Sequence, residues 1–222
     1  MASPAEAAKV ARWKAVMKSD TPHAGTAPAT PDPRAAVLAA AVRLVAHEGF
    51  AAASLRRVAS EAGCSTMVVY HHFGSKQGLF DALFVEGFTV LSSIQETAAN
   101  TDEPVEQVRN IGMALRQMAI AHADSYRVIF AQAVPPFVPS HEVRGVARQN
   151  YQRFLDAVQA WSAQTPLVTD PMTAAHILWT SGHGLIMTEL AGNVPHVDPA
   201  AAYRIALDAL INGLRAAGHP EA

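Results

Sequence analysis

The 222-residue chain is poor in cysteine, aromatic side chains and charge. Its single cysteine, Cys64, excludes a disulfide scaffold and any cysteine-rich zinc module. Aromatic residues make up 7% of the chain and charged residues 16%, and no stretch alternates apolar and polar residues as a strand does. A sheet-built core is therefore not expected, and 50% hydrophobic content excludes a disordered, charge-solvated chain. Export and membrane signals are missing too. Residues 1–20 scatter Lys9, Arg12, Lys14 and Lys18 without an apolar segment. The longest uncharged run, 171–188, carries His176, Ser181, His183, three threonines and two glycines, so it reads as a buried helix of a soluble, cytoplasmic protein.

What is present is alanine, 44 residues of it, which spreads the hydrophobicity over small helix-favouring side chains. Residues 21–33 hold four prolines and no large apolar residue and read as a linker. Before it, Val10, Trp13 and Met17 sit at helical spacing among basic residues. That segment is a poorly ordered tail, a basic arm that follows a nucleic-acid backbone, or upstream sequence if translation begins at Met17.

From Arg34 the helical signals are dense. Leu38, Ala41, Val42 and Val45 share one face of a first helix between Pro33 and Gly49. Ser54 caps a second, short helix with Leu55, Val58, Ala59 and Ala62 inward, and Gly63 ends it. Ser65 opens a third over 66–72, and Ser75 a long fourth with a stripe of Phe80, Phe84, Phe88 and Leu91 continuing to about residue 100. Further helices are expected over 104–123, around 126–130, and over 141–164, 171–191 and 199–217. The loop AQAVPPFVPS, with three prolines and an exposed-looking Phe137, separates the second of these from the third. The expected fold is all-α, with about nine helices.

Two short helices meeting at Gly63 make a helix-turn-helix, because glycine permits the left-handed turn that sets them at a steep angle. With the apolar faces turned inward, the third helix leaves Thr66, Met67, Val68, Tyr70 and His71 outward, a set suited to a major groove. Ser54, Ala59, Gly63, Cys64, Ser65, Tyr70, Phe73, Ser75, Lys76 and Leu79 match, in order and spacing, the pattern of the TetR family of bacterial transcriptional regulators, which the chain resembles over about 34–83. The resemblance implies a three-helix DNA-binding domain at 33–80 after an extension at 1–32, and a helical effector-binding and dimerisation domain at 81–222. It implies that Tyr70 and Lys76 hold phosphates, that Thr66, Met67 and Val68 touch base edges, and that Arg56 reaches a guanine. Ser54, Ser65 and His71 complete the expected DNA-contacting set, with His71 on a phosphate or merely solvated. Gly74 and Gly78 depart from the family pattern and are expected to loosen the start of the fourth helix. Cys64 stands where a valine is usual, a small buried hydrophobe or, alternatively, a redox sensor.

A second resemblance covers 178–193, LWTSGHGLIMTELAGN, where Trp179, His183 and Gly184 match the Trp-x-x-x-His-Gly segment of the WHG-type C-terminal domain. The family resemblance implies that the last two helices pair with their copies in a homodimer, placing His176, Gly182, Met187, Tyr203, Leu207, Leu210 and Leu214 at that interface. His176 and His183, seven apart, are too distant along a helix for the usual metal pair, and no cofactor is expected. Both read as core or dimer contacts, with His183 alternatively lining a pocket. Met113, Met118, His122, Tyr126, Phe130, Trp161, Trp179 and His183 offer the aromatic and thioether surface of a pocket for a small, largely apolar effector, or else plain core packing.

The function these readings imply is a dimeric repressor on a palindromic DNA operator, released by an effector. The alternatives are a ligand-independent architectural DNA binder and a helical enzyme, the latter opposed by the lack of any nucleophile–base pair, phosphate loop or metal cluster. The net charge of −2 conceals a division: residues 1–78 sum to +4 and 79–222 to −6, a basic head on an acidic body.

Overall fold

Every regular element among the described residues of the structure, a computed structural model, is a helix, and the one extended feature is an isolated bridge between Leu167 and Arg215. The described residues are 32–130, 137–193 and 197–216. The arm or linker at 1–31, the prolines of 131–136 and the end of the last expected helix lie outside them.

Nine helices are described: α1 (Pro33–Ala52), α2 (Leu55–Glu61), α3 (Thr66–Phe73), α4 (Lys76–Ala98), α5 (Pro104–Ala121), α6 (Ala123–Phe130), α7 (His141–Gln164), α8 (Pro171–Leu190) and α9 (Pro199–Leu214). Their starts follow local chemistry. Asp32, Asp170 and Asp198 each cap a helix whose first residue is proline, so a carboxylate accepts the orphan N–H groups where proline offers none. Gly49, at φ +82°, breaks the helical geometry inside α1, so the regular part ends there and a last turn follows.

By contacts the chain forms two compact units, each drawn from two stretches of sequence. Among the described residues one comprises 32–93 together with 122–130 and 137–147, the other 94–121, 148–193 and 197–216. The reason lies in packing: α6 lies against α1, and the first part of α4 buries its phenylalanine stripe in that unit.

In the first unit, α1 packs against α2, α3 and α6. By length and composition α1 is apolar enough to cross a membrane, but its Val37, Leu38, Ala41, Val42 and Val45 are core residues here. Val58, Ala59 and Val69 pin α2 and α3 onto them. Phe137 corrects its exposed appearance in the sequence. It is half-buried and stacks on Phe50 and Phe84 at centroid distances of 5.2 and 5.4 Å, with Phe80 edge-on. Each aromatic pair adds about 1 kcal/mol beyond area burial.

In the second unit, α5, α8 and α9 pack pairwise, and α7 contributes Phe154, Leu155, Val158 and Trp161 to the core. Arg116 forks onto both carboxylate oxygens of Glu189 at 2.8 and 2.5 Å, joining α5 to α8, and Arg109 reaches Asp208 of α9 at 2.7 Å. The Tyr203 hydroxyl donates to the Gly112 carbonyl at 2.9 Å, and a Cβ on Gly112 would meet Leu207 at 2.9 Å. That contact brings α9 unusually close to α5.

Candidate nucleic-acid interface

Ser54 starts α2 by accepting the Arg57 N–H at 3.2 Å, and Gly63, at φ +67°, turns the chain towards α3. Along α3 only Val69 is buried. Val68 is half-buried, whereas Thr66, Met67, Tyr70 and His71 are exposed, Met67 by 75% and Tyr70 by 53%. An exposed methionine and tyrosine on consecutive turns of a pinned helix form a surface with unused apolar and hydrogen-bonding capacity. Ser65 makes no side-chain capping bond, and while its carbonyl accepts the Val68 N–H at 3.1 Å, the N–H groups of Thr66 and Met67 keep their capacity for an anion.

The two arginines of α2 differ in their engagement. Arg57 is held bidentately by Glu48 of α1 at 2.6 and 2.7 Å, so its charge is partly spent inside the chain. Arg56 is exposed and makes no ion pair or hydrogen bond with the described residues. It is the arginine with a free fork. Lys76, in the first turn of α4, lies 5.3 Å from the Phe80 ring centroid and has no carboxylate partner among the described residues.

The turn from α3 to α4 fixes how Tyr70 and Lys76 stand to each other. Gly74 caps α3 at φ +71°, and a Cβ on Gly78 would lie 2.1 Å from the Phe73 carbonyl oxygen. Ser75 Oγ accepts the Gly78 N–H at 3.0 Å. Both glycines suit the turn: Gly74 supplies a positive φ that L side chains rarely adopt, and at Gly78 a side chain would collide with the main chain. Arg34 reinforces the corner by pairing with Glu86 and lying 5.5 Å over the Phe73 ring. Cys64 is half-buried, so it is not the closed core residue its position suggested.

The expected dimer residues separate into two groups. Gly182, Tyr203, Leu207 and Leu214 are buried within one chain, which corrects their assignment to a face shared with a second copy. Gly182 is small because the Tyr203 hydroxyl would lie 3.1 Å from its Cβ. His176 is exposed, and Met187 and Leu210 are half-exposed. Their neighbours Met172 and Ile205, which sequence reading missed, are 61% and 64% exposed.

The residues expected around an apolar pocket differ in burial and in the unit that holds them. Met118, Tyr126 and Trp161 are fully buried, and His122, Tyr126 and Phe130 fall in the first unit while Met113, Met118, Trp161, Trp179 and His183 fall in the second. Trp179 packs on Tyr151, Phe154 and His183, at 4.8 Å from the last. The cavity it lines, with Leu178, Gly182 and Tyr203, has a volume of about 10 Å³, room for roughly one water. Burial pushes the His183 imidazole down to about 4 and the Tyr203 phenol up to about 12, the latter partly offset by the Arg116 charge. Both side chains are neutral core residues at pH 7.

A larger cleft of about 270 Å³ lies in the second unit, lined by Gln95, Glu96, Ala99, Gln107, Ile111, Arg153, Asp156 and Ala157. Sequence reading passed over it. The available signal was Gln95 itself, which continues the Phe84, Phe88, Leu91 spacing and so puts an amide on a core face.

Comparison with known proteins bears on both units. Residues 37–83 match the family model described as bacterial regulatory proteins, tetR family, and residues 108–210 match a tetracycline repressor-like C-terminal domain. The chain belongs to the TetR family of bacterial regulatory proteins. The C-terminal match is to that domain and not to the WHG type suggested by Trp179, His183 and Gly184. An HTH-type transcriptional regulator of Mycobacterium tuberculosis is 26% identical over 122 residues, 53% of this chain and 52% of the relative, so the chain spans about half the length of the relative it matches. A TetR family transcription regulator from Marinobacter aquaeolei superposes with a TM-score of 0.71 at 19% identity, covering 83% of this chain and 96% of that one. NalD of Pseudomonas aeruginosa, described as the secondary repressor of a multidrug efflux pump, gives 0.65 at 21% identity over 82% and 95%. These structures share the TetR fold with the chain, and 37–83, which contains α2 and α3, is its family-defining segment.

Proposed function

We propose that this TetR-family regulator is a non-enzymatic, cytoplasmic DNA-binding repressor that acts as a homodimer on a palindromic operator and releases it when a small molecule occupies its regulatory half. The observation that carries the reading is α3: one buried residue, Val69, anchors a helix whose Thr66, Met67, Tyr70 and His71 are exposed beside the unpaired cations Arg56 and Lys76. In functional terms 33–80 is the reading head, 81–222 the regulatory part, and 1–32 an extension. The Trp179, His183 and Gly184 pattern supports a WHG-like variant of the regulatory part.

Each residue has a role its chemistry allows. Tyr70 donates its hydroxyl to one phosphate, and Lys76 adds charge beside the α4 N-terminus, contacts that position the head without reading sequence. Met67 and Val68 meet thymine methyl groups, Thr66 a base edge, and Arg56 a guanine O6 and N7 through its free fork. Ser54, Ser65 and His71 lie at the rim and bind backbone oxygens.

Two copies are required because one α3 reads a half-site. The exposed Met172, His176 and Gly184 of α8 and Ile205, Ala209 and Gly213 of α9 support a helix-pair interface, since open space stands over both glycines and two large apolar side chains are uncovered. Repression is the sign that NalD, described as a repressor, lends to the reading.

Selection of bound duplexes from a random-sequence pool tests the whole reading. A palindrome with half-sites about one helical turn apart is the expected outcome, and a chain that retains no duplex overturns it.

A further inference from the structure

The cleft of about 270 Å³ contains a side chain with no internal role. Gln95 is 1% exposed, and neither its Nε2 nor its Oε1 has a hydrogen-bond partner. A buried carboxamide with both groups unsatisfied is strongly disfavoured and is found where something outside the chain completes it. Its neighbours in the cleft are not equally idle. Gln107 donates to the Thr101 carbonyl at 2.6 Å, Arg153 pairs with Glu96 at 2.8 Å, and Asp156 accepts from Gln152 at 2.8 Å. Gln95 is the lining residue whose hydrogen-bonding capacity is wholly unspent.

We propose that this cleft binds a small neutral molecule bearing an amide, such as a primary carboxamide or a lactam. The warrant is complementarity. Along one edge a carboxamide presents an N–H donor and its carbonyl acceptor side by side, and another amide matches that edge, its carbonyl taking one Gln95 N–H while its own N–H meets Oε1. Charge decides against a carboxylate ligand. Glu96 and Asp156 outnumber Arg153, and Arg153 is already paired, so an anion entering the cleft meets net repulsion. Ala99, Ile111 and Ala157 receive the apolar body of the ligand. The volume, just below the ~300 Å³ at which drug-sized sites begin, limits the occupant to about one ring. Access to the amide comes through rotation of long rim side chains, among them the exposed Arg153–Glu96 pair, which contributes little to stability and opens readily.

Gln95 lies on the helix that begins at Lys76. Assigning the cleft as the effector site rests on the DNA-binding reading above, and amide binding itself does not. This occupant differs from the apolar effector that the methionines and aromatics suggested.

Thermal shift of the full chain with nicotinamide and with 2-pyrrolidinone, beside nicotinate and toluene, is the test. Both amides are expected to raise the Tm saturably, with nicotinate at least tenfold weaker. Gln95→Leu is expected to raise the Tm of the ligand-free protein by about 3 °C, because it removes an unsatisfied amide, and to abolish the amide shift. Ala157→Phe, which fills the cleft and leaves Gln95 in place, should abolish it as well. Absence of any saturable shift with both amides, or an undiminished shift in both variants, overturns the assignment. DNA retention is read separately: a chain that binds duplex but no amide loses only the cleft assignment, and one that binds amide but no duplex keeps the site and loses the regulatory reading.

Discussion

The α3 helix of the first unit and the helices of the second spend their side chains in opposite ways. In α3 a single valine is buried, and large groups such as Met67 and Tyr70 stand in solvent with no internal task. In the second unit even polar groups are committed. Tyr203 bonds a main-chain carbonyl, His183 is held neutral against Trp179, and Arg116 is forked onto Glu189. Gln95 departs from this, since both ends of its buried carboxamide lack a partner. A residue that costs little to remove from the fold is free to serve something else, and that is the ground on which α3 and Gln95 are proposed as functional.

Trp161→Ala should break the contrast most strongly. The indole is 1% exposed, and its loss is expected to cost about 3–5 kcal/mol, seen as a large fall in the urea midpoint. An equal truncation in α3, Tyr70→Ala, should leave that midpoint within about 0.5 kcal/mol. A large loss from the tyrosine would show that α3 is packed after all.

The pH dependence comes next. Burial holds the His183 imidazole at about 4 in the folded chain, against an ordinary value of 6.5, so the unfolded chain binds the proton first as pH falls. The contribution to stability is complete above pH 6.5 and is lost as pH drops towards 4, by about 3 kcal/mol. Replacing the imidazole, His183→Leu, should flatten that limb of the stability curve relative to wild type. Parallel curves for the two proteins would mean that the imidazole is solvated.

A smaller effect is expected on the DNA side. Tyr70→Phe with Lys76→Ala should weaken binding to every duplex alike, by about tenfold, and reduce the salt slope by about one, with the Tm unchanged. Weakening confined to one sequence would move these residues from backbone to base contacts.

Met67→Ala is the smallest change. Stability should stay within about 0.5 kcal/mol, while the sequences enriched from a random pool shift at the base step it touches, by about 1 kcal/mol or a little more. An unchanged consensus would remove Met67 from the reading surface.

Most of the fold was legible because helix ends and faces are local. Asp32, Ser54 and Ser75 accept backbone N–H groups within three residues, and the i, i+3, i+4 face of α1 is the buried one. The exposed face of α3 was legible for the same reason: once Val69 faces inward, the spacing of the helix forces Thr66, Met67 and Tyr70 outward. Which of the expected pocket residues are fully enclosed was not legible, because aromatic and thioether side chains look alike in sequence whether they line a cavity or fill one. Met118, Tyr126 and Trp161 fill one. The dimer face failed in part because smallness signals close approach but not by what; Gly182 makes room for Tyr203 of its own chain.

The sequence alone therefore determined the helices, their caps and the face that α3 presents, since each depends on residues within a turn or two of one another. Only the tertiary structure decided that Gly78 is required against the Phe73 carbonyl, that Phe137 stacks on Phe50 and Phe84, and that Gln95 is left unsatisfied beside an open cleft. These outcomes depend on which atoms arrive from elsewhere in the chain to fill a space or a hydrogen bond, and periodicity carries no record of that.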